Sequence, residues 1–144
     1  MVRVNLIHPK KLADQHLIAE YNEILMLLGY VERYPEIKIV KGKSEIPEEY
    51  TLNTGHMRFF KDKLRYLEKR HADIKTEMKK RKFKTDITID LKKYPKNLNN
   101  DWTPKKKDFL IIQERIAWKI NKKPEYYRYY GKYMPKDFFI RLLK

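Results

Sequence analysis

The residues that could carry chemistry begin with His16, Glu20 and Glu23, which are spaced by four and then three positions. On a helix of about 100° per residue, these three lie on one side, opposite the apolar residues of the same segment. We expect this side to face solvent, which is the usual location of carboxylates. The spacing would also suit convergence on one metal ion. However, the Glu-x-x-His pattern of di-iron bundles requires a second copy, and the sequence has none.

A second reactive group is the α-amine at the start of the chain. Its reference pKa of about 7.7 to 8.0 leaves a sizeable neutral fraction near pH 7, and a neutral amine can attack a sugar carbon. Val2 is small enough for an aminopeptidase to remove Met1, which would leave the free amine on Val2. The short segment that follows leads directly into the predicted helix that carries Glu23.

Other catalytic schemes have no support in the sequence. There is no cysteine, hence no thiol nucleophile and no disulfide, and the four glycines form no phosphate-binding loop. No nucleophile elbow and no zinc spacing occur. His8, His56 and His71 have no partner pattern, and His71 lies on an apolar face, where a core position is expected. We therefore expect a protein that uses neither a metal nor another cofactor.

The charge of the chain indicates a polyanionic partner. The 144 residues include 34 Lys and Arg against 19 Asp and Glu, a formal net charge of +15. Lysine and arginine side chains gain affinity for nucleic acid by releasing its counterions. Aromatic and basic residues alternate over residues 126–133, which favours contacts with bases and phosphates together. The alternative is that this tyrosine-rich segment packs on the core.

Hydrophobic periodicity predicts three main helices, at about residues 9–33, 54–82 and 104–123, and a short fourth from Pro135. Thr103 and Pro104 are typical of a helix cap followed by a first-turn proline. Residues 35–53 and 83–102 are expected to be long polar loops, because the strand-like alternation at 85–90 has no evident pairing partner. The prediction is a compact, all-α single domain over residues 1–144, with three main helices, long connecting loops and an aromatic C-terminal segment.

Membrane and export signals are absent from the sequence. No apolar run reaches the roughly 20 residues that a membrane helix needs, and no signal core precedes a small-residue cleavage site. We expect a cytoplasmic protein with access to DNA and with no membrane partner.

Three ordered blocks of the sequence resemble the phage-type pyrimidine-dimer DNA glycosylases, also called endonuclease V of the phage type. The first block is RVNL at residues 3–6 with LADQHLIAEYNE at 12–23, the second is TGHMRFFKDKL at 54–64, and the third is PEYYRYYGK at 124–132. The resemblance covers residues 1 to about 133, and residues 134–144 look like a C-terminal extension.

The resemblance implies a compact helical monomer that removes a base from ultraviolet-damaged, double-stranded DNA and then nicks the abasic site. In that family the α-amine attacks the anomeric carbon of the deoxyribose, and the resulting imine undergoes β-elimination. The resemblance assigns the amine to Val2 and the catalytic carboxylate to Glu23. It places Arg3 and His16 at the lesion.

The resemblance also implies a set of DNA-contacting positions: Gln15, Tyr21, Asn22, Met26, Arg115, Lys119, Tyr126, Arg128, Tyr129 and Lys132. Familiar members of the family carry arginines where this chain has Asn22 and Met26, so the grip on the duplex should be weaker or the preferred lesion altered. Tyr126 replaces a tryptophan but keeps a stacking ring. The alternative function is a basic helical module that binds nucleic acid without catalysis, which these departures would permit.

Overall fold

The computed structural model describes residues 3–144, and these residues are mostly helical. The α-helices of the described residues are α1 (Asp14–Arg33), α2 (His56–Phe60), α3 (Leu64–Lys80), α4 (Lys106–Lys122) and α5 (Lys136–Leu143). Single 3₁₀ turns occur at Pro9–Lys11, Leu91–Lys93 and Lys96–Leu98. Within residues 3–144, no helix has both the length and the apolar character needed to cross a bilayer.

Two short antiparallel hairpins correct the all-α prediction. The strands are β1 (Ile39–Val40) with β2 (Lys43–Ser44), and β3 (Arg128–Tyr129) with β4 (Lys132–Tyr133). Each turn is a residue followed by glycine, and φ is positive at both positions: 53° and 77° at Lys41 and Gly42, 54° and 78° at Tyr130 and Gly131. Two consecutive positive φ values are typical of a type I′ turn, whose twist matches that of a hairpin.

Helix α1 begins at Asp14, five residues later than the periodicity predicts, and ends at Arg33 as predicted. Pro9–Lys11 forms a separate 3₁₀ turn, and extended backbone at Leu12 and Ala13 interrupts the two helices. The apolar side of α1 packs against α3. Its buried apolar residues are Leu17, Tyr21, Ile24, Leu27, Leu28 and Val31.

The second predicted helix is two helices, because the chain breaks between α2 and α3. Lys63 donates its Nζ hydrogen to the Phe59 carbonyl at 2.8 Å, which satisfies a carbonyl at the end of α2. Lys61 is fully buried and donates to the Glu36 carbonyl at 2.6 Å and to the Glu45 carboxylate at 3.1 Å. These hydrogen bonds stabilise the non-helical residues between α2 and α3. Helical periodicity in the sequence cannot predict them.

Helix α4 begins two residues later than predicted. The amide of Lys105 donates to the Asp108 carboxylate at 2.8 Å, so the cap involves these residues rather than Thr103. The predicted isoleucine side of α4 is buried at Ile112, Ile116 and Ile120. The predicted fourth helix is α5, which packs on α4 through Phe139 and Leu143, whereas Leu142 is only half-buried.

Three histidines are uncharged at neutral pH: His56 and His71, which are buried, and His16, which is half-buried. Burial is the main reason that the pKa values of His16, His56 and His71 fall to about 4. The Val4 amide donates to Nε2 of His56 at 3.0 Å, so the ring proton lies on Nδ1, which donates to the Thr51 carbonyl at 2.8 Å. His71 stacks on Tyr21 with ring centroids 4.5 Å apart, which confirms its predicted core position.

Stability is therefore expected to fall between pH 7.5 and pH 5. The unfolded chain binds protons on these histidines below a pKa of about 6.5, whereas the folded chain does not until about pH 4, so acid favours unfolding. Each histidine can contribute about 1 to 2 kcal/mol over this interval. Urea unfolding at the two pH values measures the effect. The His71→Asn variant should show a smaller pH dependence of stability than the wild-type protein. An unfolding midpoint that is independent of pH would contradict the expectation.

Candidate functional site

A cavity of about 180 Å³ lies between the first half of α1, the middle of α4 and the residues that follow α4. It gathers six of the residues predicted for the site: Arg3, Gln15, His16, Arg115, Lys119 and Tyr126. The other lining residues are Asn5, Ala19, Ile112, Ile116 and Tyr127. Elements far apart in the sequence thus form one concave surface with a basic character.

The N-terminal segment is fixed at the edge of this cavity by hydrogen bonds that each join a backbone group to a side chain. Both polar backbone groups of Val4 are bonded: its amide donates to His56, and its carbonyl accepts from the Tyr50 hydroxyl at 2.8 Å. The Arg3 guanidinium donates to the Leu52 carbonyl at 2.8 Å from Nε and at 2.5 Å from Nη2. The predicted nucleophile, Val2, lies outside the described residues, but the residues directly after it have a defined position.

A buried ion pair supports the next part of this segment. Leu6 has φ of 61°, a strained value for a leucine. Arg70 donates from Nη1 to the carbonyls of Leu6 at 3.1 Å and Ile7 at 2.6 Å. Its Nε and Nη2 donate to the two carboxylate oxygens of Glu20 at 2.6 and 2.9 Å. Arg70 therefore ties the strained turn to both α1 and α3.

The prediction that His16, Glu20 and Glu23 share a solvent-facing side of α1 is wrong. Glu20 is fully buried, and Glu23 is only 8% exposed. Because both oxygens of Glu20 bond to Arg70, this carboxylate does not converge with His16 on a metal ion. Within residues 3–144, no group of three such side chains could hold a metal ion.

Glu23 is a nearly buried carboxylate beside a cation. Burial raises its pKa, and the positive charge of Arg3 opposes that rise. For Arg3 itself, burial and then the charge of Arg115 lower the pKa, while Glu23 raises it. A carboxyl group with a raised pKa can exchange a proton closer to neutral pH than an exposed glutamate can. Glu23 can therefore stabilise positive charge and also move a proton.

His16 lines the cavity as a neutral imidazole. Both of its ring nitrogens are buried, and neither has a hydrogen-bond partner among the described residues. Burial, and secondarily the charge of Lys119, lower its pKa to about 4. The ring lies against Tyr127, with centroids 4.8 Å apart. Because buried polar atoms are normally bonded, these nitrogens are well suited to meet a bound ligand.

Three cations share the cavity and make it suitable for anions. Burial lowers the pKa of Lys119, and the nearby charges of Arg115 and Arg3 lower it further. Like charges of this kind are costly when close together in a partly buried site. A bound anion such as a DNA phosphate would relieve the repulsion and would gain from the focused field.

The first turn of α1 holds the C-terminal aromatic segment at the cavity. Gln15 donates from Nε2 to the Tyr126 carbonyl at 2.8 Å, and its Oε1 accepts from the Arg128 amide at 3.0 Å. Asp14 accepts from the amides of Tyr130 at 3.1 Å and Gly131 at 2.7 Å. Gln15 therefore positions the aromatic segment, a role that its predicted DNA contact did not include.

A protein-family model described as pyrimidine dimer DNA glycosylase matches residues 1–91 of the chain. The chain belongs to this family. The predicted resemblance to the phage-type glycosylases is thereby confirmed. The matched residues include the N-terminal segment, α1, α2 and α3, and so contain Arg3, His16 and Glu23. Helix α4 and the hairpin β3–β4, which complete the cavity, follow the matched range.

Two of the residues expected to touch DNA in this glycosylase family lie elsewhere in the structure. Tyr21 is buried against His71, and its hydroxyl accepts from the Ile87 amide at 3.2 Å. The Tyr129 hydroxyl donates to the Lys10 carbonyl at 2.8 Å, and its ring packs against the Arg81 guanidinium. These contacts give both tyrosines structural roles.

The remaining predicted DNA contacts lie on the surface of the glycosylase. Asn22 and Met26 are exposed on α1, and Arg128 and Lys132 are exposed on the hairpin β3–β4. The aromatic segment was expected either to contact nucleic acid or to pack on the core. Tyr127 is buried in the core, whereas Tyr126 is 56% exposed at the cavity.

An open basin of about 430 Å³ adjoins the cavity of this glycosylase at the end of α4. It shares Arg115, Lys119, Tyr126 and Tyr127 with the cavity, and it adds Trp118, Lys122 and Lys123. Trp118 is 55% exposed, and the Lys122 ammonium lies over its ring. Sequence reasoning missed this tryptophan, as it missed His56 and Tyr50, although His56 lies within the second resembling block.

Proposed function

We propose that this member of the pyrimidine dimer glycosylase family both removes the damaged base and cleaves the abasic site, using its N-terminal amine. After loss of Met1, the amine of Val2 attacks C1′ of the deoxyribose, and the glycosidic bond between C1′ and the pyrimidine breaks. The detached pyrimidine takes up a proton and stays joined to the other half of the dimer. The sugar opens to an imine between C1′ and the amine. Loss of a C2′ proton and cleavage of the C3′–O bond then nick the strand.

The observation that carries this proposal is the nearly buried carboxylate of Glu23, close enough to Arg3 for the charge of each to shift the pKa of the other. Arg3 directly follows Val2, and consecutive Cα atoms are only about 3.8 Å apart. The Arg3 guanidinium and the Val4 amide are both hydrogen-bonded, so residues 3 and 4 have defined positions. The Glu23 carboxylate then has two tasks: its charge stabilises the cationic sugar, and it accepts the C2′ proton.

The residues that line the cavity, among which Glu23 does not appear, bind the damaged nucleotide in this proposal. Arg115 and Lys119 hold phosphates, His16 hydrogen-bonds the flipped nucleotide, and Tyr126 stacks against a base. Asn22, Met26, Arg128 and Lys132 contact the duplex around the lesion. The enzyme acts as a monomer on double-stranded DNA and needs no cofactor. Residues 134–144, predicted to be an extension, carry no part of the reaction.

Reductive trapping tests the proposal. Protein whose first residue has been identified by mass spectrometry is incubated with borohydride and a duplex that contains one pyrimidine dimer or one abasic site. A covalent protein–DNA adduct is expected, and transamination of the N-terminal amine to a ketone should abolish it. A persisting adduct would implicate a lysine instead. Tight binding without glycosidic-bond cleavage, strand cleavage or adduct would favour the non-catalytic binding module.

A further inference from the structure

We infer that the hairpin β1–β2 is a second DNA-binding element, which enters the major groove of the duplex flanking the lesion. The inference rests on the proposed function only in taking damaged duplex DNA as the substrate. The tip of this hairpin, residues 38–43, carries two large apolar side chains in solvent: Ile39 is 69% exposed and Val40 is 67% exposed. Lys38, Lys41 and Lys43 are exposed around them, and residues 37–44 include no acidic side chain.

The hairpin is held firmly at its base, which suits a binding element. The Glu45 amide donates to the Lys38 carbonyl at 2.8 Å, and the Glu45 carboxylate accepts from the Lys38 amide at 2.6 Å. The fully buried ammonium of Lys61 bonds to Glu45 and to the Glu36 carbonyl, and it lies 5.7 Å from the centre of the Tyr30 ring. A buried cation thus fixes the hairpin to the end of α1.

Stability alone does not account for the composition of the tip. Successive residues in a strand point to opposite faces, so Ile39 and Val40 expose one apolar side chain on each face. A two-stranded hairpin with both faces in solvent gains little from its own packing. The same arrangement suits a partner that surrounds both faces.

The major groove of DNA has the dimensions and chemistry that this tip requires. It is about 12 Å wide and admits a two-stranded β-ribbon, whereas the minor groove, at about 6 Å, is too narrow. Phosphates line both edges of the groove, where Lys38, Lys41 and Lys43 would meet them. Thymine methyl groups supply apolar contacts within the groove for Ile39 and Val40.

The position of the hairpin relative to the cavity fits a duplex running along α1. Tyr30, against which the hairpin is anchored, follows His16 by fourteen positions, so the two lie within about 40° on the helix and about 21 Å apart along it. At about 3.4 Å per step, this distance corresponds to roughly six base pairs. Asn22 and Met26, exposed between them, carry no charge, whereas the hairpin brings Lys38, Lys41 and Lys43 to the end of α1, near the exposed Arg58.

The test compares two duplexes that carry one tetrahydrofuran abasic analogue, with twelve or three base pairs on each side of it. Lys41→Gln with Lys43→Gln, and separately Ile39→Ser with Val40→Ser, should each weaken binding to the long duplex by about tenfold and leave the short duplex unchanged. The lysine variant should also lower the slope of log affinity against log salt by about two. Unfolding midpoints confirm that the variants are folded.

The matched control is Lys92→Gln with Lys96→Gln, two exposed lysines near Tyr94, which contacts the opposite side of α1 through the Leu28 carbonyl. An equal loss in this control, an equal loss on the short duplex, or unchanged affinity would overturn the inference. Unchanged DNA affinity with lost binding to anionic lipid vesicles would assign the tip to a membrane surface. Borohydride trapping on a short duplex that carries a natural abasic site in place of the tetrahydrofuran analogue, at saturating wild-type protein, reports on the proposed chemistry separately from these affinities.

Discussion

Replacing Glu23 by Gln is expected to slow strand cleavage by about 100- to 10,000-fold while DNA affinity changes by no more than about twofold. The amide keeps the shape of the carboxyl group, so the cavity should be retained. It carries no charge to stabilise a cationic sugar, and it does not accept the C2′ proton. Single-turnover cleavage of a duplex with one pyrimidine dimer measures the rate, and filter binding measures the affinity.

The pH dependence makes the test specific to this carboxylate. Protonation of the N-terminal amine should lower the activity of both proteins as the pH falls below about 8. Because burial raises the pKa of Glu23, wild-type activity should show a second decline in acid, at a higher pH than an exposed glutamate would impose. The residual activity of Glu23→Gln should lack this second decline. The matched control is Glu114→Gln, which neutralises an exposed carboxylate on α4 and should cleave at the wild-type rate. Wild-type cleavage by Glu23→Gln would show that another group moves the proton.

Replacing Arg70 by Ala is expected to reduce the free energy of unfolding by about 3 to 5 kcal/mol. The change leaves the Glu20 carboxylate buried without its cation and frees the carbonyls of Leu6 and Ile7. Typical domains are stable by only about 5 to 15 kcal/mol, so the loss would be a large fraction of the total. Urea unfolding at pH 7.5 measures it.

Two further variants distinguish the stability lost by breaking the buried ion pair from the stability lost by removing any charge from α3. Lys69→Ala removes an exposed lysine from the same helix, where it pairs with Asp101, and should cost less than about 1 kcal/mol. Replacing both members of the buried pair, Arg70→Met with Glu20→Met, should recover much of the stability, because no buried charge is left unpaired. A loss in Arg70→Ala no larger than that in Lys69→Ala would contradict a major role for the buried pair.

Much of the helical framework was predictable because its apolar residues recur within single segments. The buried sides of α1, α3 and α4 follow the predicted spacing, and α5 starts one residue after the predicted Pro135. The errors occur where a distant partner decides the local structure. The break after α2 depends on Lys61 reaching Glu36 and Glu45, and neither contact is visible in a helical pattern.

The hairpins show a different limit. Lys41-Gly42 and Tyr130-Gly131 are recognisable turn pairs, but the strands around them are only two residues long, too short for alternation to reveal. The amides of Tyr130 and Gly131 donate to the carboxylate of Asp14, more than one hundred positions away, and these bonds hold the second hairpin. A single sequence contains no direct record of such a contact.

The sequence predicted which residues belong to the site better than it predicted how deeply they are buried. Four residues that the resemblance assigned to the site, Arg3, His16, Arg115 and Lys119, line one cavity. Helical spacing placed Glu20 beside Glu23 in solvent, whereas Arg70, fifty positions later, draws Glu20 into the core. Glu23 is buried as well, and this burial, which raises its pKa, is what makes the carboxyl group useful for proton transfer.

The two tryptophans of the chain provide independent optical signals because their surroundings differ so strongly. Trp102 packs among Tyr50, Phe59 and Tyr66, so its fluorescence should report on the integrity of the fold. Trp118 lies in the open basin beside the cavity, where stacking of a nucleobase would quench its emission. A Trp118→Phe protein would then follow unfolding alone, and a Trp102→Phe protein would follow occupancy of the basin without any attached dye.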